Sequence, residues 1–239
     1  MTKTRIAVLT PCYNGKRDPK TEKCLLECKK YFSNFEFISF TSNEVYIHRG
    51  RTMLMKEVLD YNKTKKIEFV LWLDSDVYFE PKQLSKLIQD VSKPEIHCVS
   101  GVYFNRHANH HPMFCNINNR GQVKWDFLNA IPNKIFPVDG IGFGFFLMNM
   151  NILEFYSRKY KMEDWFDSSK WYPRNNDNEP LFTIGEDLDF CAKLKKIDYR
   201  TFIDGSVLLS HKGITVKDYG KWKKENTWHP HCTAQVKVI

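Results

Sequence analysis

Residues 67–81 read IEFVLWLDSDVYFEP, an almost wholly apolar run that stops abruptly at a pair of aspartates. The run from Ile67 to Leu73 is bounded by charged residues, which is typical of a strand covered on both faces. Covering both faces requires helices above and below the sheet, as in α/β proteins with parallel strands. Asp74 and Asp76 then stand where this strand leaves the core.

Strand and helix patterns alternate around this run. Apolar periodicity and proline placement predict strands over Arg5–Thr10, Phe35–Thr41 and Ile96–Val102, and helices that begin near Asp18-Pro19, His48 and Pro81. The order strand, helix, strand, helix predicts parallel pairing with helices on both faces of one sheet. The chain therefore has the pattern of an α/β protein.

The second half has a different pattern. Asn118-Asn119-Arg120-Gly121 is a turn signal that predicts a hairpin within Pro112 to Phe127. Val138 to Met148 holds three glycines among bulky apolar residues, which predicts a strand approached closely by backbone or ligand. The polar and aromatic stretch 160–183 is long enough to be a functional loop, and Glu186 to Lys196 returns to helical spacing.

Length and composition limit the classes of protein. With 239 residues and 42% hydrophobic content, the chain is long enough to bury one sizeable core. No run approaches the roughly 18 consecutive apolar residues of a membrane-spanning helix. Seven cysteines without a framework spacing favour reduced thiols. We therefore expect a soluble, cytoplasmic protein. Its net charge of +8 fits an anionic partner, or simply a lysine-rich solvated surface.

Polar residues follow two of the predicted strands. In open α/β sheets ligands bind beyond the carboxyl ends of the strands, so Pro11-Cys12-Tyr13-Asn14 would lie beside Asp74-Ser75-Asp76. Two carboxylates at a strand end are costly to gather unless a cation compensates them, and hard divalent ions do so. Such an ion can also neutralise the negative charge that develops on a diphosphate leaving group. The alternative is a pair of turn or capping aspartates.

Six sequence blocks resemble, in order, the nucleotide-diphospho-sugar transferase fold called GT-A. They are most similar to glycosyltransferase family two, in particular to its short viral and phage-type members. The blocks are RGR at 49–51, LDSDVYFEP at 73–81, GVY at 101–103, VDGIGFGF at 138–145, GEDLDFC at 185–191 and VLLSHKG at 207–213. The resemblance implies one GT-A domain over 1–239 with a central, mostly parallel sheet flanked by helices. Its nucleotide-binding half would span about 1–105, its acceptor and catalytic half about 106–213, and a basic aromatic tail 214–239.

The resemblance also implies roles for individual residues. Manganese or magnesium would be bound by Asp76 and His211, with Asp74 as a further ligand. Asp187, beside Glu186, would be the catalytic base that deprotonates the acceptor hydroxyl. The donor would be bound by Thr10, Pro11, Cys12, Tyr13, Asn14, Arg51, Asp74, Ser75 and Asp139. The structural alternative is that His211 is a surface histidine and that the acids of 186–189 only stabilise a helix dipole.

The implied activity is metal-dependent transfer of a sugar from a UDP- or GDP-linked donor to a glycan or protein-linked acceptor. Inversion through Asp187 is expected, although retaining enzymes of the same fold share these motifs. If the protein is viral, it would act in the host cytoplasm. A sugar nucleotidyltransferase or a metal-dependent phosphoesterase could share the acidic strand end. Aromatic residues interleaved with lysines over 217–228 suggest a nucleic-acid-binding module, but no recognition motif is present, and we expect no nucleic-acid partner.

Overall fold

The computed structural model describes residues 3–13, 15–105, 112–117, 123–124, 131–166 and 185–212. Its helices are α1 (Pro19–Tyr31), α2 (Ile47–Asn62), α3 (Pro81–Val91), α4 (Met150–Lys159) and α5 (Glu186–Lys196), with a 3-10 turn at Met162–Asp164. Its strands are β1 (Thr4–Pro11), β2 (Phe35–Ser42), β3 (Phe69–Leu73), β4 (Val77–Tyr78), β5 (Cys98–Val102), β6 (Phe114–Ile117), β7 (Val123–Lys124), β8 (Ile135–Val138), β9 (Gly140–Ile141), β10 (Phe145–Asn149), β11 (Thr201–Leu208) and β12 (Ser210–His211).

The main sheet has seven strands in the order β2-β1-β3-β10-β5-β11-β8. β1 pairs in parallel with β2 and β3, and β5 pairs in parallel with β11. β10 lies antiparallel between β3 and β5, and β8 is antiparallel to β11. The sheet is therefore mostly parallel, because every strand except β8 and β10 runs in one direction.

The predicted helix starts are confirmed, and local chemistry explains them. The Asp18 side chain accepts a hydrogen bond from the Lys20 amide, and Pro19 occupies the first position of α1. Glu80 and Gln83 form a reciprocal capping box around Pro81 at the start of α3. These caps fix where the two helices begin, after the segments that follow β1 and β4.

The core lies on both faces of the sheet, as the alternating pattern predicts. One cluster packs Leu54 of α2, Leu153 of α4 and Phe190 of α5 against the sheet. The other packs Leu25 of α1 and Leu87 of α3 against the opposite face. All six cysteines within the described ranges are buried free thiols. No helix in these ranges is both long and apolar enough to cross a membrane.

The prediction of one glycine-rich strand over Val138–Met148 is wrong. The chain bends there, so that it forms the end of β8, then β9 and β10, and its glycines contact protein side chains. A Cβ at Gly142 would overlap the Tyr103 hydroxyl, which in turn accepts a 2.7 Å hydrogen bond from the Gly144 amide. The predicted hairpin is present as the antiparallel β6–β7 pair, although its turn lies outside the described residues.

Candidate functional site

Arg51 lies near the start of α2, beside the end of β3, and is buried with only 1% of its surface exposed. Its Nη2 is 3.1 Å from Asp74 Oδ1 and its Nε is 2.9 Å from Glu186 Oε1. Gly50 allows this position, since a Cβ there would lie 2.8 Å from Ser42 Oγ at the end of β2. Arg51 therefore joins the end of β3 to the start of α5.

The charge on Arg51 is held in place by its neighbours. Burial alone would lower the pKa of the guanidinium, but the carboxylates of Asp74, Glu186 and Asp187 outweigh burial and raise it. The guanidinium also lies over the apolar ring of Phe143, 5.1 Å from its centre. A fixed cation surrounded by acids organises this edge of the sheet.

Asp187 follows Glu186 in the first turn of α5 and is partly exposed. Its Oδ1 accepts a 2.8 Å hydrogen bond from the Leu188 amide. Burial and the adjacent charge of Glu186 raise the pKa of Asp187 to about 7, and Arg51 only partly opposes them. A carboxyl group that titrates near neutrality suits proton transfer, because general bases work best with a pKa near the operating pH.

Asp76 and His211 form a second group at the same edge. Strand β12 pairs with β4, and this pairing sets His211 Nε2 3.2 Å from Asp76 Oδ1. The His211 Nδ1 lies 2.8 Å from the carbonyl oxygen of Phe104. A carbonyl oxygen only accepts, so Nδ1 carries the proton, and the Nε2 lone pair of the neutral ring faces a carboxylate. Two facing lone pairs require a cation, either a proton on Nε2 or a metal ion.

The loop after β1 is tied to the aspartate motif by its backbone. The Asp18 amide donates a 2.8 Å hydrogen bond to the Ser75 carbonyl, and the Asp18 carboxylate pairs with Lys212 at 3.2 Å. Thr10 and Cys12 are buried, whereas Tyr13 is 77% exposed. The structure thus brings the two predicted strand ends together.

Asp139 lies beside α5. Its Oδ1 is 2.6 Å from Lys195 Nζ, and it lines a cavity of about 380 Å³ with Cys191 and Arg200. Trp165, in the stretch 160–183 that the sequence suggests as a functional loop, is buried in the core at 6% exposure. Asn14, most of loop 160–183 and the tail 214–239 lie outside the described residues.

Sequence reasoning missed Arg17. Its side chain is only 6% exposed, its Nε donates to Thr10 Oγ1 at 2.8 Å, and its Nη1 pairs with Glu22 at 3.1 Å. A basic residue between a strand and a helix cap gives little warning of burial, and the adjacent Lys16 is indeed exposed. The useful signal was position, because the residue follows a strand whose end meets the aspartate motif.

Several polar atoms at this edge are buried without a partner. Within the described ranges, such atoms include Arg17 Nη2, Ser42 Oγ and Arg51 Nη1. Buried polar groups are nearly always paired, so unpaired atoms on residues near partly exposed carboxylates favour a polar ligand site here. In the same ranges no three histidine, cysteine or carboxylate side chains converge as a ready metal centre. The assignment of Asp74 as a metal ligand stays a prediction, and its carboxylate contacts Arg51.

Replacing Arg51 by methionine is expected to lower the free energy of unfolding by about 3 kcal/mol, since it leaves two acids facing each other without their cation. Urea denaturation measures this loss. Lys56→Met on the exposed side of α2 is the control, with an expected change within about 0.5 kcal/mol. Equal effects of both substitutions would show that Arg51 does not hold the two acids together.

Comparison with known proteins bears on the fold. No protein-family model matches this sequence, and no curated protein matches it. The solved structure of A197 from STIV matches with a TM-score of 0.54 at 15% sequence identity, over 87% of this chain and 85% of that chain.

A second match is a glycosyltransferase involved in glycosylation of the major capsid of PBCV-1. It has 19% identity over 63% of this chain and 62% of that chain, and its TM-score of 0.37 is too low to bear on the fold. The seven-stranded, mostly parallel sheet with helices on both faces and the likeness to A197 confirm that this chain has the predicted GT-A-type α/β fold.

Proposed function

We propose that this protein is a glycosyltransferase that transfers a sugar from a nucleoside-diphosphate donor to a glycan or protein-linked acceptor. The observation that carries the proposal is the pairing of His211 Nε2 with Asp76 Oδ1 at 3.2 Å, beside the group formed by Asp74, Arg51 and Asp187. Asp76 and His211 suit the binding of a cation that neutralises a diphosphate. The group of Asp74, Arg51 and Asp187 supplies a proton acceptor. The two chemistries together are those of sugar transfer.

Asp76 and His211 would hold manganese or magnesium. Histidines that bind metals usually donate their other ring N–H to a carbonyl or carboxylate, and His211 does so to Phe104. Such an ion supplies charge neutralisation to the departing diphosphate. Lys212, whose Nζ is 3.2 Å from Asp18, adds a cation on the same side. Beside these two side-chain ligands, the remaining positions suit Asp74, oxygens of the donor and water.

The nucleoside would lie across the ends of β1 and β2. Tyr13 is exposed there and offers a ring face, while Arg17 Nη2 and Ser42 Oγ are buried without partners. Unpaired donors beside an open edge favour a ligand rich in oxygen acceptors, such as a ribose, a pyrimidine or a phosphate. We infer the donor to be UDP- or GDP-linked.

Asp187 would act as the base, and the reaction would invert the sugar's configuration. Its carboxyl group stands at the start of α5, next to the arginine-bound Glu186. The chain 1–239 would work as one catalytic domain, with the donor bound by its first half. The acceptor would approach from the side of Asp187 and Asp139.

Calorimetric titration of UDP and of GDP, each with and without manganese, tests the donor site. Tight binding of one nucleotide that requires the metal is the expected result. Absence of binding by either nucleotide to the folded protein would contradict the proposal. Pyrophosphate release from a nucleoside triphosphate and a sugar phosphate would indicate a nucleotidyltransferase.

Replacing Arg17 by glutamine is expected to weaken nucleotide binding about tenfold, because a charge-assisted hydrogen bond contributes about 1.5–3 kcal/mol. Arg5→Gln is the matched control. Arg5 lies at the start of β1, at the end of the strand opposite to the loop that carries Arg17, and it pairs with Glu36. The two variants are compared by the same titration. Unchanged affinity in Arg17→Gln would remove Arg17 from the donor site.

A further inference from the structure

Two carboxylates are buried outside the site described above. Asp90 on α3 and Asp204 on β11 are 0% and 1% exposed. Lys86 Nζ lies 3.4 Å from Asp90 Oδ1 and 3.5 Å from Asp204 Oδ2, and Lys93 Nζ lies 3.0 Å from Asp90 Oδ1. Taking acids out of water is strongly unfavourable unless they are well paired. A fold that keeps two of them side by side needs a compensating gain.

The pKa values of the two acids are shifted in opposite directions. Burial and the facing Asp204 raise the pKa of Asp90 against the influence of Lys93 and Lys86. Burial also disfavours the charge on Asp204, but the hydrogen bonds from Ser206, together with the nearby Asp90 and Lys86, outweigh it and lower the pKa of Asp204. Asp204 is therefore the member that stays a carboxylate, and Asp90 is the one that holds a proton more readily.

Strand β11 departs from regular pairing directly after Asp204. Asp204 pairs with Gly101 of β5, and the next pair along β5 is Leu208 with Val102. Residues 205–207 are therefore extra on the β11 side and form a bulge, here called the β11 bulge. Bulges redirect the strand that follows them and often occur next to active sites.

Asp204 closes this bulge. Its Oδ1 accepts hydrogen bonds from the Ser206 amide at 2.9 Å and from Ser206 Oγ at 2.6 Å. Glycine is required at position 205, between Asp204 and Ser206, because a Cβ there would overlap the carbonyl oxygen of Pro132. The α3 side chain of Gln83 also donates to the carbonyl oxygen of Leu208, at the end of the bulge.

The chain that leaves the bulge carries His211. The Leu209 amide returns to the Val102 carbonyl at 2.8 Å, and β12 then pairs with β4 and brings His211 to Asp76. A slip of one residue turns every following side chain of a strand to the other face. The length and closure of the β11 bulge therefore decide whether the imidazole reaches Asp76.

We propose that the Asp90–Asp204 pair is a positioning device that fixes the β11 bulge and so holds His211 against Asp76. Neither acid is among the residues assigned to the donor site. The pair acts through Ser206 and the backbone of the bulge. The binding test of this inference rests on the proposed function, because its readout is metal-dependent nucleotide binding.

The test compares Asp204→Ala with Asp204→Asn. Alanine removes the acceptor of both Ser206 hydrogen bonds. Manganese-dependent binding of the nucleotide that the wild type binds, UDP or GDP, is therefore expected to weaken about tenfold. Loss of other outer partners of metal ligands has an effect of this size. Asparagine keeps an oxygen for Ser206 and offers an amide donor to Asp90, so its affinity is expected to stay near that of the wild type. Equal weakening by both variants, or by neither, would overturn the inference.

His211→Ala separates this proposal from the donor-site assignment. Combined with His211→Ala, Asp204→Ala is expected to cause no further loss of binding, because its effect passes through that residue. An added loss in the double variant would overturn the inference. If His211→Ala binds nucleotide and metal like the wild type, the proposed metal site itself is wrong.

Imidazole nitrogen NMR of His211 gives a readout that needs no nucleotide. The Nδ1–H bond to Phe104 is expected to weaken in Asp204→Ala and to persist in Asp204→Asn, with a corresponding shift of the ring signals. Unchanged ring signals in Asp204→Ala would overturn the inference. If Asp204→Ala does not fold, Ser206→Ala, which loses only the Oγ bond, takes its place and is expected to shift the signals in the same direction.

Discussion

Replacing Asp76 by asparagine is expected to weaken manganese-dependent binding of the nucleoside diphosphate about a hundredfold, while binding without metal changes little. The neutral amide removes the charge that faces His211 Nε2 at 3.2 Å. Loss of outer partners of a metal site costs about 10–100-fold, and a direct ligand stands at the upper end of that range. Calorimetry of the wild type and the variant measures the difference.

Asp60→Asn is the matched control for this change. Asp60 is half exposed on α2 and pairs with Lys56 and Lys63, away from the strand ends. It tests whether the loss of one surface aspartate affects binding through net charge alone. Asp76→Asn is expected to keep the unfolding midpoint within a few degrees, since its side chain is partly exposed. Full metal-dependent affinity in the folded variant would remove Asp76 from the metal site.

Much of the fold follows from local signals in the sequence. The start of α1 at Pro19 and the whole of α5 from Glu186 to Lys196 have the predicted bounds. Proline at the first helical position, an aspartate cap and a run of first-turn acids act over a few residues, so they can be read without knowing the fold. The strand 67–73 was predicted for a similar reason, although pairing begins only at Phe69.

The insertion of β10 between β3 and β5 could not be predicted in this way. Antiparallel pairing of Phe145–Asn149 depends on partners more than seventy residues earlier for β3, and apolar periodicity does not give the partner of a strand. The same limit applies to β4 and β12, which have two residues each and yet bring His211 to Asp76. The family resemblance indicates that these residues lie together, whereas their spacing in the chain does not.

The role of Arg51 also depends on packing. The family resemblance implies that Arg51 binds the donor, and the structure adds that Arg51 is buried between Asp74 and Glu186. An arginine after a glycine in a helix gives no sign of which side of the helix will be covered. The close approach of Gly50 to Ser42 decides this, and it is a contact between distant segments.

Replacing Asp187 by asparagine is expected to lower kcat about 10²–10⁴-fold with little change in donor affinity, as for the loss of a positioned general base. Glu186→Gln is the comparison, because it removes an equal charge from the same helix turn but also the contact with Arg51. If these acids only stabilise the helix dipole, both variants would lose a little stability and no activity. Transfer rates at saturating donor and acceptor measure the difference.

The pH dependence adds a second test of Asp187. A base must be deprotonated, so kcat of the wild type is expected to rise with pH through about 7, the pKa to which burial and Glu186 raise this carboxyl group. The folded protein holds this proton more tightly than the unfolded chain, so the contribution to stability is full below the unfolded pKa and is lost as pH rises to about 7. Asp187→Asn should remove both the rise in kcat and this loss of stability. A wild-type rate that does not change across neutral pH, with donor binding constant, would assign the proton transfer to another group.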